Sequence, residues 1–238
     1  EEKKGTPSII KRRIYLAKQE IMLSNKFGGR VSPRKLHVER VEGKHGELTL
    51  LCLEPFDGTV DELGYRPRRL NNLGIDLANG LNRVHKERCM HRDIKPENVL
   101  FKKKKEKRKK SYRYQFSLTD FGLSKGYDDI LVDASNNIFA GTWIFISPEY
   151  MKAEVYSGPD LERSEIFSYG MTLAVYATRG NTIDFNEKLP KKHNETGVFY
   201  EKDKHRKILE TSMRRMSKST KDLIMACLDP KPYNRPQS

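Results

Sequence analysis

Cysteine is scarce in this chain, with three residues, Cys52, Cys89 and Cys227, far apart and without metal-ligand spacing. That excludes a thiolate metal site and a disulfide framework, and an odd, sparse set suits a reducing compartment. No apolar run approaches the ~20 residues that span a bilayer. No signal-peptide pattern opens the chain either, so a protein of the cytoplasm or nucleus with no membrane contact is expected. Internal repeats are absent. Acidic residues are outnumbered, 32 against 46 Lys and Arg, which leaves a net charge of +14. Half of that excess lies in Lys102–Lys110, where eight basic residues and one acidic contribute +7, so the rest is only mildly basic. Aromatics are not scarce, and their 9% share excludes wholesale disorder. At 238 residues the chain can bury a substantial core as one large domain or two small lobes.

What is present centres on His91-Arg92-Asp93-Ile94-Lys95-Pro96-Glu97-Asn98. A carboxylate, an ammonium and a carboxamide fall within a few residues, and Pro96 stiffens the backbone between them into a fixed loop. A proton acceptor, a cation for phosphate charge and an amide oxygen for a hard metal ion suit phosphoryl transfer.

Around this loop the periodicities alternate. Thr6-Pro7 reads as a helix start, and Ile10, Ile14, Ala17 and Ile21 continue at helical spacing to about Leu23, with Glu20 beside the stripe. Gly28-Gly29 ends it. Lys35 to Glu42 and Leu48 to Leu53 read as strands about the Gly43–Gly46 turn. From Pro67, the residues Leu70, Leu73, Leu77, Leu81 and Val84 trace one helical face, which Gly74 and Gly80 weaken. Val99-Leu100-Phe101 and Tyr114 to Thr119 read as a hairpin with the lysine run inserted at its tip. An irregular segment then leads to Glu149, followed by helical patterns at Ile166 to Thr178 and Leu223 to Leu228. Strands early and helices late predict an α+β, two-lobed fold.

Two further motifs follow in order: Asp120-Phe121-Gly122, and Ser147-Pro148-Glu149 preceded by Gly141-Thr142. With the first loop they resemble the signatures of the eukaryotic protein kinase superfamily, serine/threonine type, from about Pro7 to the end. The resemblance implies a protein-kinase-like two-lobe fold with an incomplete N-terminal lobe (1–56, strands and hinge) and a mainly helical C-terminal lobe (57–238). The latter carries a basic insertion, 102–113, and an activation segment, 120–149. ATP and Mg2+ are the implied cofactors, and a protein hydroxyl the implied substrate. Asp93 would orient that hydroxyl and accept its proton, Lys95 would neutralise the transferring phosphoryl group, and Asn98 and Asp120 would ligate magnesium. Thr142 would bridge Asp93 and Lys95, which favours serine or threonine over tyrosine as acceptor. Glu20 matches the helix glutamate that holds a phosphate-binding lysine, Leu100 the apolar residue beneath adenine, and Leu53, Glu54 and Phe56 the hinge. Glu149 would pair with Arg235, and Arg92 is the residue that receives an activating phosphate in many relatives. Ser135 is the nearest hydroxyl for one, so activation is either phosphorylation-independent or uses Ser135. Glu97 suggests basic residues near the target hydroxyl.

Several positions depart from the family pattern. No glycine-rich loop precedes Glu20, and only Lys3 and Lys4 stand where the phosphate-binding lysine is expected. A fragment of a longer kinase explains this better than loss of the upper nucleotide clamp. Glu165 stands where an aspartate normally anchors the first loop, and its extra methylene is expected to shift that anchor. A catalytically impaired, kinase-like scaffold is therefore the alternative. The lysine run reads first as a solvated loop, next as a nuclear-localisation or acidic-partner patch, and third as a nucleic-acid contact, since the run itself has no aromatic interleaving.

Overall fold

The computed structural model describes residues 18, 20–23, 25–29, 31–43, 46–105, 112–136, 140–178, 213 and 216–237. Residues 20–23 and 25–27 are helical (α1), passing the expected stop at Leu23 to end at Phe27, and Leu23 and Phe27 are buried. The expected start at Thr6-Pro7, and Lys3 and Lys4, lie outside the described residues. Two strands, Lys35–Gly43 (β1) and Gly46–Leu53 (β2), pair antiparallel with Gly43 opposite Gly46, as the turn residues foretell.

Helix Pro67–Lys86 (α2) begins with proline in its first turn, where no hydrogen bond is lost. Its stripe, Leu70, Leu73, Leu77, Leu81 and Val84, is fully buried. Gly74, costly by propensity, has a packing reason: a Cβ there would stand 3.3 Å from Tyr169 Oη, which donates to the Gly74 carbonyl at 3.1 Å. Tyr169 belongs to Gly158–Ala177 (α5), a helix that starts earlier than its apolar stretch, because Ser157 caps it and a proline follows in the first turn. This helix is buried on nearly every side and packs on both α2 and Lys218–Cys227 (α6), itself capped by Ser217.

Strands Gly58–Thr59 (β3), Val99–Lys105 (β5) and Tyr112–Leu118 (β6) form one sheet in the order β3-β5-β6. The lysine run thus does not begin as a loop: Lys102, Lys103, Lys104 and Lys105 pair with Gln115, Tyr114, Arg113 and Tyr112. Cys89–Met90 (β4) and Lys125–Gly126 (β7) pair beside the loop that follows Met90.

The segment expected to be irregular holds a helix, Tyr127–Ser135 (α3). Asp128 and Asp129 lie in its first turn, where acidic side chains favour the positive end of the helix dipole. Tyr127, Ile130 and Ala134 are buried with Met90, Ile146, Tyr150, Val155 and Leu161 in a core of their own. Ser147 then caps Pro148–Met151 (α4), its Oγ accepting from the Tyr150 N–H.

Candidate active site

Glu165 at the middle of α5 holds the loop His91–Asn98 from beneath. One of its oxygens, Oε1, accepts the His91 and Arg92 N–H groups at 2.9 and 2.8 Å. The other, Oε2, lies 2.8 Å from His85 Nε2 on α2. Both side chains are almost wholly buried. With its extra methylene the carboxylate reaches both amides and gives its second oxygen to an imidazole. His85 Nε2 must carry the proton, since a carboxylate only accepts. No motif signalled His85; only the helical face it shares with Val84 and Leu81 hinted at burial.

The loop is braced further above that anchor. Thr172 Oγ1 donates to the Ile94 carbonyl at 3.2 Å, and Ser124 Oγ to the His91 carbonyl at the same distance. Arg92 sits at φ +73 and Asp120 at φ +62, left-handed backbone that costs energy in residues other than glycine and is kept only where surroundings fix it. Gly141, at φ +122, admits no side chain, because a Cβ there would collide with the Arg92 carbonyl.

The chemistry-bearing groups then converge on Asp93. Oδ2 accepts from Lys95 Nζ at 2.7 Å and from Asn98 Nδ2 at 2.9 Å. Oδ1 accepts from the Thr142 N–H at 2.9 Å and from its hydroxyl at 2.7 Å. Lys95 Nζ also donates to Thr142 Oγ1, at 2.8 Å. Burial pushes the Asp93 carboxyl up, but hydrogen bonds from Lys95 and Thr142 and the lysine charge outweigh it, so the carboxyl lies below the usual range. Asp93 is therefore a carboxylate at neutral pH.

Asn98 spends its Nδ2 on the Asp93 carbonyl and carboxylate, leaving Oδ1 as the atom that can meet a cation. Asp120 is exposed, its Oδ1 accepting from the Gly122 N–H at 3.3 Å, and the Asn98 carbonyl accepts from the Thr119 N–H at 3.0 Å. One amide oxygen and one carboxylate joined by adjacent backbone fit magnesium, which takes few protein ligands when phosphates supply others.

Behind them Phe121 meets His91 edge to face, with centroids 4.7 Å apart, and stacks on Phe27 at 5.4 Å. His91 Nε2 donates to the Thr119 carbonyl at 2.9 Å, and burial holds its pKa below the usual imidazole value. Through Phe27 this ring cluster ties α1 to the site. Glu20 on α1 lies against the same turn, its Oε2 3.9 Å from a Cβ placed on Gly122. It is drawn into the site rather than out into solvent.

The residues expected to form a hinge make none of the contacts described for Asp93. The Glu54 N–H donates to the Arg34 carbonyl at 2.9 Å, and the Arg34 N–H to Glu54 Oε1 at 3.0 Å. Leu53 ends β2, half-buried. Leu100 shares its face of β5 with Lys102, whose ammonium lies 5.5 Å from the Phe56 ring centroid. Further out, Arg235 forks onto Glu149 at 2.5 and 2.9 Å, both buried, and donates again to the Arg163 and Asp229 carbonyls. Arg92 Nη1 stands 3.3 Å from Asp133 Oδ2 on α3, and Lys125 Nζ 2.7 Å from the same oxygen. Ser135 Oγ turns back to the Val132 carbonyl at 2.8 Å.

Comparison with known families gives one model match, the protein kinase domain, over residues 38–238. Among curated relatives, mitogen-activated protein kinase kinase 1 of Arabidopsis thaliana is 33% identical over 143 residues, 56% of this chain and 36% of its own length. Mitogen-activated protein kinase kinase 9 of the same plant is 32% identical over 133 residues, 54% of this chain and 39% of its own. A calcium and calcium/calmodulin-dependent serine/threonine-protein kinase of Oryza sativa subsp. japonica is 30% identical over 237 residues, 93% of this chain. That alignment covers 40% of the rice protein, so the chain spans well under half the length of the relatives it matches.

Proposed function

This chain belongs to the protein kinase domain family, and on that ground we propose that it transfers the γ-phosphate of Mg·ATP to serine or threonine hydroxyls of proteins. The observation that carries the proposal is the closed set of contacts among Asp93, Lys95, Asn98 and Thr142. Asp93 accepts the hydroxyl proton as the oxygen–phosphorus bond forms, and the bond to the bridging oxygen breaks to release ADP. A carboxyl held below its usual range is a weak base. It suffices, because a loose phosphoryl-transfer transition state depends on alignment and charge stabilisation more than on deprotonation. Lys95 meets the phosphoryl charge, and Thr142 holds Asp93 and Lys95 in register. Asn98 Oδ1 and Asp120 would hold the magnesium, which when bound offsets phosphate charge. Glu20 would orient a phosphate-binding lysine, while Leu100 and the backbone of Leu53, Glu54 and Phe56 would enclose adenine. Beside Glu97 a cavity of about 480 Å³, also lined by Asp61, Glu62 and Arg66, is the place for substrate residues flanking the target.

Regulation follows from Asp133. Its carboxylate already meets Arg92 and Lys125, which supports activity independent of phosphorylation over a role for Ser135. Ser135→Ala is then expected to keep full activity after phosphatase treatment, and a loss would return Ser135 to the mechanism.

The test of the main proposal is transfer of labelled phosphate from Mg·ATP to a generic basic protein, against Asp93→Asn. A decrease of about 10³-fold is expected. Equal incorporation by the two proteins, each shown folded by its melting curve, would leave the kinase-like scaffold as the function.

A further inference from the structure

The hairpin β5/β6 carries a pattern that the linear sequence conceals. Its core-facing side begins with the buried pairs Val99–Leu118 and Phe101–Phe116. The same side continues outward as Lys103 opposite Tyr114 and Lys105 opposite Tyr112. Directly opposed residues lie ~5 Å apart and successive pairs on one face ~6.8 Å apart, so cations and rings alternate across a narrow ribbon. The aromatic interleaving missing from the lysine run is supplied by the partner strand.

Arg69 of α2 extends the ribbon: its guanidinium lies 4.4 Å from the Tyr114 ring centroid, and Nη2 donates to Tyr114 Oη at 2.7 Å. Tyr112, beyond it, is 56% exposed, as a stacking surface must be. On the other side of the hairpin Lys104 pairs with Arg113. Among the described residues no carboxylate forms an ion pair with Lys103, Lys104, Lys105 or Arg113. The acids close by bond to the hairpin backbone, Asp57 accepting the Lys103 N–H at 2.6 Å and Asp76 the Phe116 N–H at 3.0 Å, and Asp76 also lies within the field of Arg113 and Lys104 without pairing with either.

We propose that this hairpin is a binding surface for single-stranded nucleic acid, with Lys103, Lys104, Lys105 and Arg113 meeting phosphates and Tyr112 stacking on a base. Cations alone would suit any polyanion. An exposed ring set between them favours a partner with planar, unpaired bases over an acidic peptide or a duplex, whose charged groups offer the tyrosine nothing to stack on. The surface lies apart from Asp93 and its partners, so binding and phosphate transfer are separable.

The test uses the full chain and labelled single strands, uridine and deoxythymidine oligomers of ~20 nucleotides, read by fluorescence anisotropy from about 50 to about 200 mM salt. Four phosphates met should give a log–log salt slope of about −3. Tyr112→Ala should weaken binding roughly 5- to 150-fold, the loss of one stacked base, while Tyr112→Phe should hold it. The double variant Lys104→Glu, Lys105→Glu should weaken it more than about tenfold and flatten the slope. Asp93→Asn should bind like the unaltered protein, and Tyr112→Ala should transfer phosphate like it, which keeps this proposal distinct from the kinase one. No binding at the lowest salt overturns it. So does equal affinity for a duplex or for polyglutamate that Tyr112→Ala leaves unchanged, which would assign the hairpin to charge attraction alone.

Discussion

The loop His91–Asn98 and the outer hairpin Lys102–Lys105 adjoin in the chain but handle charge in opposite ways. Around the loop, charges are buried and answered: Asp93 by Lys95 and Thr142, Glu165 by two amides and His85, Glu149 by Arg235. Past Lys102, which still meets Glu54, the lysines of the outer hairpin share one sign and are exposed, and Lys103 and Lys105 stand opposite tyrosines instead of acids. A matched, buried set fixes positions to within fractions of an ångström, which chemistry requires. An unmatched, exposed set fixes nothing in the protein and leaves its field for a partner. Stability should accordingly depend steeply on the first and hardly at all on the second.

The largest effect expected is from Arg235→Ala, which leaves Glu149 charged and buried without its fork. Urea unfolding should lose about 3–5 kcal/mol, and Arg235→Lys should recover only part, because an ammonium cannot bond both oxygens in parallel. A loss under about 1 kcal/mol would erase the contrast, as that is what an exposed pair contributes. Next comes Asp133→Asn, which removes the charge that steadies Arg92. Phosphate transfer should slow roughly tenfold through misplacement of the neighbouring Asp93; an unchanged turnover number would show that α3 does not brace the loop.

Acid titration sharpens the same comparison. Unfolded His91 takes up a proton near pH ~6.5, whereas burial keeps the folded imidazole neutral to a lower pH. Between those values the unfolded state binds more protons, so stability falls as pH drops below that point. Unfolding free energies measured at stepped pH should show this slope, and His91→Gln should lessen it. A slope of the same size in the variant would assign it to other groups. The smallest effect belongs to Lys104→Ala, whose stability should stay within about 0.5 kcal/mol of the unaltered chain.

Much of this arrangement was legible in the sequence because local chemistry and global fold agree there. Gly43 and Gly46 face each other where an alternating run meets an apolar one, and Pro67 opens a helix whose leucine spacing matches its buried face. The groups brought together at Asp93 were those the three motifs named. Other features depend on partners far along the chain. Lysines have little preference for strands, yet Lys102–Lys105 form one because Tyr112–Gln115 completes the ladder. Helix α3 escaped notice because its buried side is set by Met90, Tyr150 and Leu161, not by a long apolar period of its own. The fit of Glu165 turned on His85, 80 residues away in sequence, which no spacing rule links to it.

That last contact binds two positions into one unit of inheritance. Shortening Glu165 to aspartate must abandon either the loop amides or the imidazole, while changing His85 alone strands a buried carboxylate oxygen. Each single change is therefore expected to cost stability, because it breaks one contact of a buried, hydrogen-bonded set. A double-mutant cycle between Glu165→Asp and His85→Leu should show a coupling of about 0.5–3 kcal/mol.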